Sequence, residues 1–320
     1  MFIFIFACTQ AGDIVDGDSA DSAVADTAEA GEPTAEPEQP VMDTGEWPER
    51  PWPVVGSGSW HSCAVDQEEQ THCWGRSLEG QTLPPEDVSF RQLVGGRTFS
   101  CGLAFDSQIH CWGEHPEPIP TERFRSIAAG NGFVCGIRED RSLSCFGDDS
   151  FGILSPPEGS FQQLDAGESH ACALSSVSQV SCWGKNTQGQ CESPDGVFEK
   201  VTAGFFHSCA LSGGDVSCWG ENHDGSLDIP NITAMALWTG NYHSCILNPA
   251  DQALCWGGES YDLSGGLIGD KFLSLALGGF HTCGITVEGE LRCYGDNVQG
   301  QLDYPGATSD EAESSPENDE

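Results

Sequence analysis

The chain has 320 residues, of which 50 are Asp or Glu and only 12 are Lys or Arg, a formal net charge of −38. Repulsion from phosphate at that charge argues against a nucleic-acid partner. Forty glycines and sixteen cysteines leave room for one or two domains, and the cysteine spacing decides between them.

Residues 1–8, Met-Phe-Ile-Phe-Ile-Phe-Ala-Cys, form an apolar run too short to span a bilayer. They read as the end of a lipoprotein signal whose basic beginning is missing, with Cys8 as the lipid anchor; an unlipidated secretory leader is the alternative. Residues 9–50 hold twelve acids against Arg50 alone and few large apolar side chains. Such a segment cannot bury enough surface to order itself, so an acidic tether is expected.

From residue 51 to 303 a pattern recurs seven times. Its cysteine pairs are Cys63/Cys73, Cys101/Cys111, Cys135/Cys145, Cys172/Cys182, Cys209/Cys218, Cys245/Cys255 and Cys283/Cys293. A glycine stands five places before each first cysteine (Gly58, Gly96, Gly130, Gly167, Gly204, Gly240, Gly278), where a turn with positive φ is expected. An aromatic residue and then glycine follow each second cysteine, as at Trp74-Gly75. Seven regular steps of this size indicate stacked or radially arranged supersecondary units. No sustained 3.6-residue period is present, so each unit reads as short strands joined by turns.

In the hairpin around Ser212-Gly213-Gly214-Asp215, pairing Leu211 with Val216 puts Cys209 opposite Cys218. Directly opposed residues lie within disulfide range. The ten-residue spacings fit a three-residue loop with a bulge. Metal ligation or free thiols are the alternative, but no C-x-x-C occurs, and seven intrablade disulfides are expected, which require an oxidising compartment. Aromatics on both faces of such small sheets favour radial closure over a linear solenoid. The expected fold is all-β: a seven-bladed β-propeller of three- to four-stranded blades. Residues 304–320 form an acidic tail, expected to be disordered; up to Leu302 the propeller keeps 31 acids against 11 bases.

Residues 204–225, GFFHSCALSGGDVSCWGENHDG, together with Gly189-Gln190 and Gly300-Gln301-Leu302, resemble the regulator of chromosome condensation repeat. The likeness extends over nearly all of residues 52–302 and implies that family's seven-bladed propeller. The short period and the cysteines make the chain most similar to exported bacterial members, among them a propeller that inhibits β-lactamases. The nuclear member's role, nucleotide exchange on a small GTPase and chromatin binding, does not fit an acidic, disulfide-bonded, exported chain.

Five histidines share one repeat position: His61, His170, His207, His243 and His281. Phe99 and Phe133 stand there in the other two units, so a packing role with bonds to the backbone is expected in place of a metal. No catalytic signature is present, Cys191 is left as the odd thiol, and neither a cofactor nor a metal is implied. Three places before each first cysteine stand Trp60, Thr98, Gly132, Ser169, Phe206, Tyr242 and Phe280. A position that accepts glycine and serine is not obligatorily buried, yet units five, six, seven and one all carry aromatics there, and Phe205 adds another. These five aromatics are the candidate binding residues, an exposed arc on one rim; packing onto neighbouring loops is the alternative.

The sequence therefore reads as a monomeric, non-catalytic binding protein of the bacterial cell envelope. It would be an outer-membrane lipoprotein facing the periplasm or the cell surface, recognising another protein through its rim loops. Inhibition of a secreted or periplasmic enzyme is one alternative; a hydrolase or lyase with a site in the central funnel is another.

Overall fold

The computed structural model describes residues 54–223, 225–258 and 270–305. The expected signal with Cys8, the tether, Trp52 and the tail beyond Pro305 lie outside the described residues. Among those residues, twenty-one strands form seven antiparallel sheets, each built from three consecutive strands. The inner strands are Val54–Ser57, Phe90–Gly95, Phe124–Ala129, Phe161–Ala166, Lys200–Ala203, Ala236–Thr239 and Phe272–Leu277. Each inner strand packs against that of the next blade, and the seventh packs against the first. The array is a closed ring of seven three-stranded blades. Tyr304, which composition places at the start of the tail, is instead buried against the Trp74 cluster of blade one.

Why these residues make these strands is clearest in blades two, three, four and seven. Phe90 and Leu93 are both buried although three residues apart, which a strict two-residue alternation forbids. The strand register shifts between Phe90 and Gln92, and the same bulge follows Phe124, Phe161 and Phe272. One extra residue brings the Phe and the following aliphatic onto the same side.

Each middle and outer strand forms a hairpin with its two cysteines directly paired, Cys209 with Cys218 and Leu211 with Val216 among them. The bridges are Cys63–Cys73, Cys101–Cys111, Cys135–Cys145, Cys172–Cys182, Cys209–Cys218, Cys245–Cys255 and Cys283–Cys293, the pairing expected from the spacing. Their Cα atoms lie 4.0–4.1 Å apart. The two halves of a bridge differ in setting. Every middle-strand cysteine is buried, whereas Cys73, Cys111, Cys145, Cys182, Cys218 and Cys255 on the outer strands are half-buried. Cys293 departs from this and is buried, in the cluster that also holds Leu302 and Tyr304. Disulfide bonds of this number mark a protein of an oxidising, extracellular or exported setting.

Gly213 and Gly214 both have positive φ (58° and 90°), as a two-residue primed turn requires. In the longer hairpins a left-handed residue closes a three-residue loop, for example Glu69 at φ 62°. The repeat glycine has a different reason from the one expected. None of Gly58, Gly96, Gly130, Gly167, Gly204, Gly240 or Gly278 has positive φ. A Cβ on Gly58 would lie 2.3 Å from the His61 ring and 2.5 Å from the carbonyl oxygen of Gly96 on the next blade. Close approach of backbone and ring, not a left-handed turn, excludes a side chain here.

Among the hydrogen bonds that join blade to blade, two side-chain sets follow the repeat. The indole nitrogen of Trp112 donates to the carbonyl of Gln81, in the segment leaving the preceding blade, at 2.8 Å. Trp183, Trp219 and Trp256 do the same to Ile153, Gln190 and Ser226. The second set belongs to the repeat histidines. His61, His170, His207, His243 and His281 are buried, and each Nε2 meets a hydroxyl of the next blade: Ser100, Ser208, Ser244, Thr282 and Ser62. The partner of this ring nitrogen is thus a side chain of the neighbouring blade. Burial lowers the imidazole pKa to about 3 for His61, His170 and His243, and to about 4 for His207 and His281. The rings are neutral. No helix among the described residues is long and apolar enough to cross a membrane.

Candidate binding rim

The loops joining inner to middle strands all emerge at one end of the ring, where the outer strands also leave their blades. Their backbones are fixed. Arg76 N donates to Trp60 O, Glu221 N to Phe206 O, and Asp296 N to Phe280 O, at 2.8–2.9 Å. Neighbouring loops are joined as well: Phe205 N donates to Asn241 O (2.9 Å), Asn241 N to Gly278 O (3.2 Å), and Gly279 N to Ser59 O (3.0 Å). A hydrogen-bonded collar of this kind holds side chains in place without burying them.

On this collar Trp60, Phe205, Phe206, Tyr242 and Phe280 are each half-buried. Four of them touch in sequence. Phe206 meets Phe205 edge to face at 4.2 Å, Phe205 stacks on Tyr242 at 5.3 Å, and Tyr242 stacks on Phe280 at 5.1 Å. The His223 ring lies 5.6 Å from Tyr242. Trp60 carries two guanidinium groups on its ring, Arg76 at 5.1 Å and Arg97 at 5.0 Å. Both readings of these residues thus have a physical counterpart. The rings pack onto one another across blades five, six and seven, and they remain open to solvent.

Reading the sequence alone does not reveal the cations on these rings. Lys185 sits 5.1 Å from the centre of Phe206 and 5.4 Å from that of Phe151. The signal available was the residue following each aromatic-glycine pair, which is basic only at Arg76 and Lys185.

A central cavity of about 260 Å³ is lined by the inner strands and reaches this rim at Ser59, Arg97, Asn131, Glu168 and Asn241. Within it the Asp165 carboxylate accepts hydrogen bonds from the amides of Ala166 (3.0 Å) and Ala203 (2.9 Å). Desolvation raises its pKa to about 6 despite those bonds. Lys200, on the next blade, places its ammonium 4.2 Å from the Trp238 ring, and burial lowers its pKa to about 8. No group of three or more His, Cys, Asp or Glu side chains among the described residues could hold a metal ion. Cys191 is half-buried with Sγ 3.3 Å from the Lys185 carbonyl, and desolvation raises its pKa to about 11, so the thiol is protonated and weakly nucleophilic.

A family model described as the regulator of chromosome condensation (RCC1) repeat matches residues 124–153, 161–190, 198–226 and 272–301. No curated protein sequence matches the chain. Among solved structures, the Physcomitrella patens receptor kinase CR4 ectodomain is similar with a TM-score of 0.66 at 23% identity, over 76% of this chain and 72% of that one. The ectodomain of the Arabidopsis thaliana receptor kinase ACR4 gives 0.61 at 27%, over 76% and 96%. Prp20p of Saccharomyces cerevisiae gives 0.61 at 16%, over 70% and 80%.

Proposed function

We propose that this chain, four of whose repeats match the regulator of chromosome condensation (RCC1) repeat model, is a non-catalytic binding scaffold of the cell envelope, recognising another protein through the aromatic rim. Propellers of this kind work by presenting loops on a rigid ring, and the similar solved structures include two receptor ectodomains and Prp20p, whose structure was described with its binding to Gsp1p and histones. The observation that carries the reading is the run Phe206–Phe205–Tyr242–Phe280, held half-exposed on a hydrogen-bonded collar. Large aromatics at such positions anchor protein interfaces, because they bury much apolar area at little rotamer cost.

The cellular setting follows from the same reasoning. Seven disulfides fit an exported protein, and Cys8 followed by an acidic tether fits an outer-membrane lipoprotein that holds its propeller away from the bilayer. The acidity keeps nucleic acid away.

The test replaces Trp60, Phe206, Tyr242 and Phe280 by Ala together in the full chain, followed by capture from envelope extracts of the native host. The variant keeps its thermal midpoint and all seven disulfides but retains no partner. Unchanged capture, or an unfolded variant, overturns the reading.

A further inference from the structure

The rim also indicates what kind of surface it fits. Most of its acids are engaged internally, exposed Glu114 excepted. Glu168 accepts from Asn131 (2.7 Å), Glu221 from Gln188 (2.7 Å), and Asp296 from Val298 N and Gln301, while Glu79 pairs with Arg76. Two cations are not engaged in this way. Lys185 and Arg97 have no carboxylate within ion-pair distance among the described residues, although Glu168 is near enough to feel the charge of both. Their side-chain contacts are with aromatic rings: Phe151 and Phe206 for Lys185, Trp60 for Arg97. Salt bridges are few among the described residues, at Arg76, Arg138 and Arg292, and what sets Lys185 and Arg97 apart is their place on aromatic rings at the rim.

The ring geometry narrows the fit further. Phe205, Tyr242 and Phe280 are stacked with interplanar angles of 15–17°, so their faces cover one another and largely their edges remain to be met. The Phe206 ring carries one cation and the Trp60 ring two. Flat ligands that need an open ring face, such as sugars or nucleobases, find little purchase here. Aromatic edges carry the positive end of the ring quadrupole, and with Lys185 and Arg97 they favour an apolar side chain flanked by anionic oxygens.

We infer that the partner presents a protein loop in which Asp or Glu brackets an apolar side chain, the carboxylates meeting Lys185 and Arg97 and the apolar group meeting the Phe205–Tyr242–Phe280 edges. This rests on the rim being a protein-binding surface. Paired with a carboxylate in a partly desolvated interface, such a cation sets partner choice and association rate.

The experiment is selection of short disulfide-constrained peptide loops from a random display library against the oxidised full chain. Loops pairing Asp or Glu with an aromatic or aliphatic residue are enriched. A selected loop binds the Arg97→Glu/Lys185→Glu variant at least about tenfold more weakly, a charge-swapped loop with Lys for its acids regains that variant, and wild-type affinity falls as salt is raised. The four-alanine rim variant binds neither loop. Enriched loops that need the aromatic rim but are basic, or that ignore the charge reversal, overturn the inference and leave the rim reading standing. Loops that bind the four-alanine variant unchanged, or no enrichment at all, overturn both.

Discussion

The imidazole Nε2 of His243 lies 2.7 Å from the hydroxyl of Thr282, thirty-nine residues later and on the next blade, with both side chains buried. The same register holds wherever a repeat histidine occurs, and the hydroxyl is missing where it does not. Phe99 is followed on the next blade by Val134, and Phe133 by Ala171. The chain therefore contains its own apolar version of the joint.

That version predicts a double-mutant result. Thr282→Val alone strands a buried ring nitrogen, and His243→Phe alone strands a buried hydroxyl; each costs about 1–3 kcal/mol. The pair together recreates the Phe99/Val134 joint and costs less than either single change. Denaturant unfolding of the four proteins checks this, and simple additivity would count against a coupled pair.

Acid tests all five histidines together. Their folded pKa values, about 3 to 4, lie below the ordinary 6.5, so below about pH 6.5 the unfolded chain takes up protons that the native ring does not. The histidine contribution is level above that pH and falls towards pH 4, by up to about 1.4 kcal/mol per pH unit for each histidine. Asp165, raised to about 6, works in the opposite direction, since below that pH the native state holds the extra proton. Glu168, raised by desolvation as well, acts in the same sense, and two carboxyls do not offset five imidazoles. Thermal midpoints at intervals between pH 7 and pH 4 should drop steadily; a constant midpoint would refute the neutral-histidine account.

Much of the fold was legible because the repeat exposes it. Cys209 opposite Cys218 follows from counting residues across a Gly-Gly turn, and the same count works in every hairpin. The role of Gly58 was not legible, because its collision partners, the His61 ring and Gly96 O, are fixed by ring closure and not by local turn chemistry. The His243–Thr282 joint was partly written in the sequence, in the hydroxyl that accompanies each histidine one unit later. Recognising it requires knowing which blades touch. The rim aromatics were visible as an interrupted column in the repeat. The position of Lys185 over Phe206 was not, since it depends on a loop of one blade leaning over the next.

The disulfides predict a graded loss. Replacing Cys209 and Cys218 by Ala opens a loop of about ten residues, worth about 2–3 kcal/mol in the chain-entropy model. The Gly213-Gly214 turn already favours closure, so the lower end is expected. For a domain of this size that is a drop of about 4–8 °C in thermal midpoint. A scanning-calorimetry shift under about 1 °C would show the bridge to be energetically idle.

Ring closure rests on residues just past the last strand. The indole of Trp74 on blade one donates to Gln301 O at 2.7 Å, and its ring meets Tyr304 at 6.2 Å; Leu302 and Tyr304 are buried in the same cluster. Truncation after Pro305 removes none of these contacts and should leave the midpoint unchanged. Truncation after Gly295 removes all of them, with about 2 kcal/mol lost for each buried side chain and about 1 kcal/mol for the hydrogen bond. Trp74→Phe separates the terms: it keeps most of the packing, loses the donor, and should cost about 1 kcal/mol, as blade three already tolerates Phe146 at this position. Because blade one otherwise meets blade seven through its inner strand, the Gly279–Ser59 loop hydrogen bond and the His281–Ser62 joint, the longer truncation should also speed unfolding. Equal midpoints and unfolding rates for the two truncations would mean that closure does not depend on this segment.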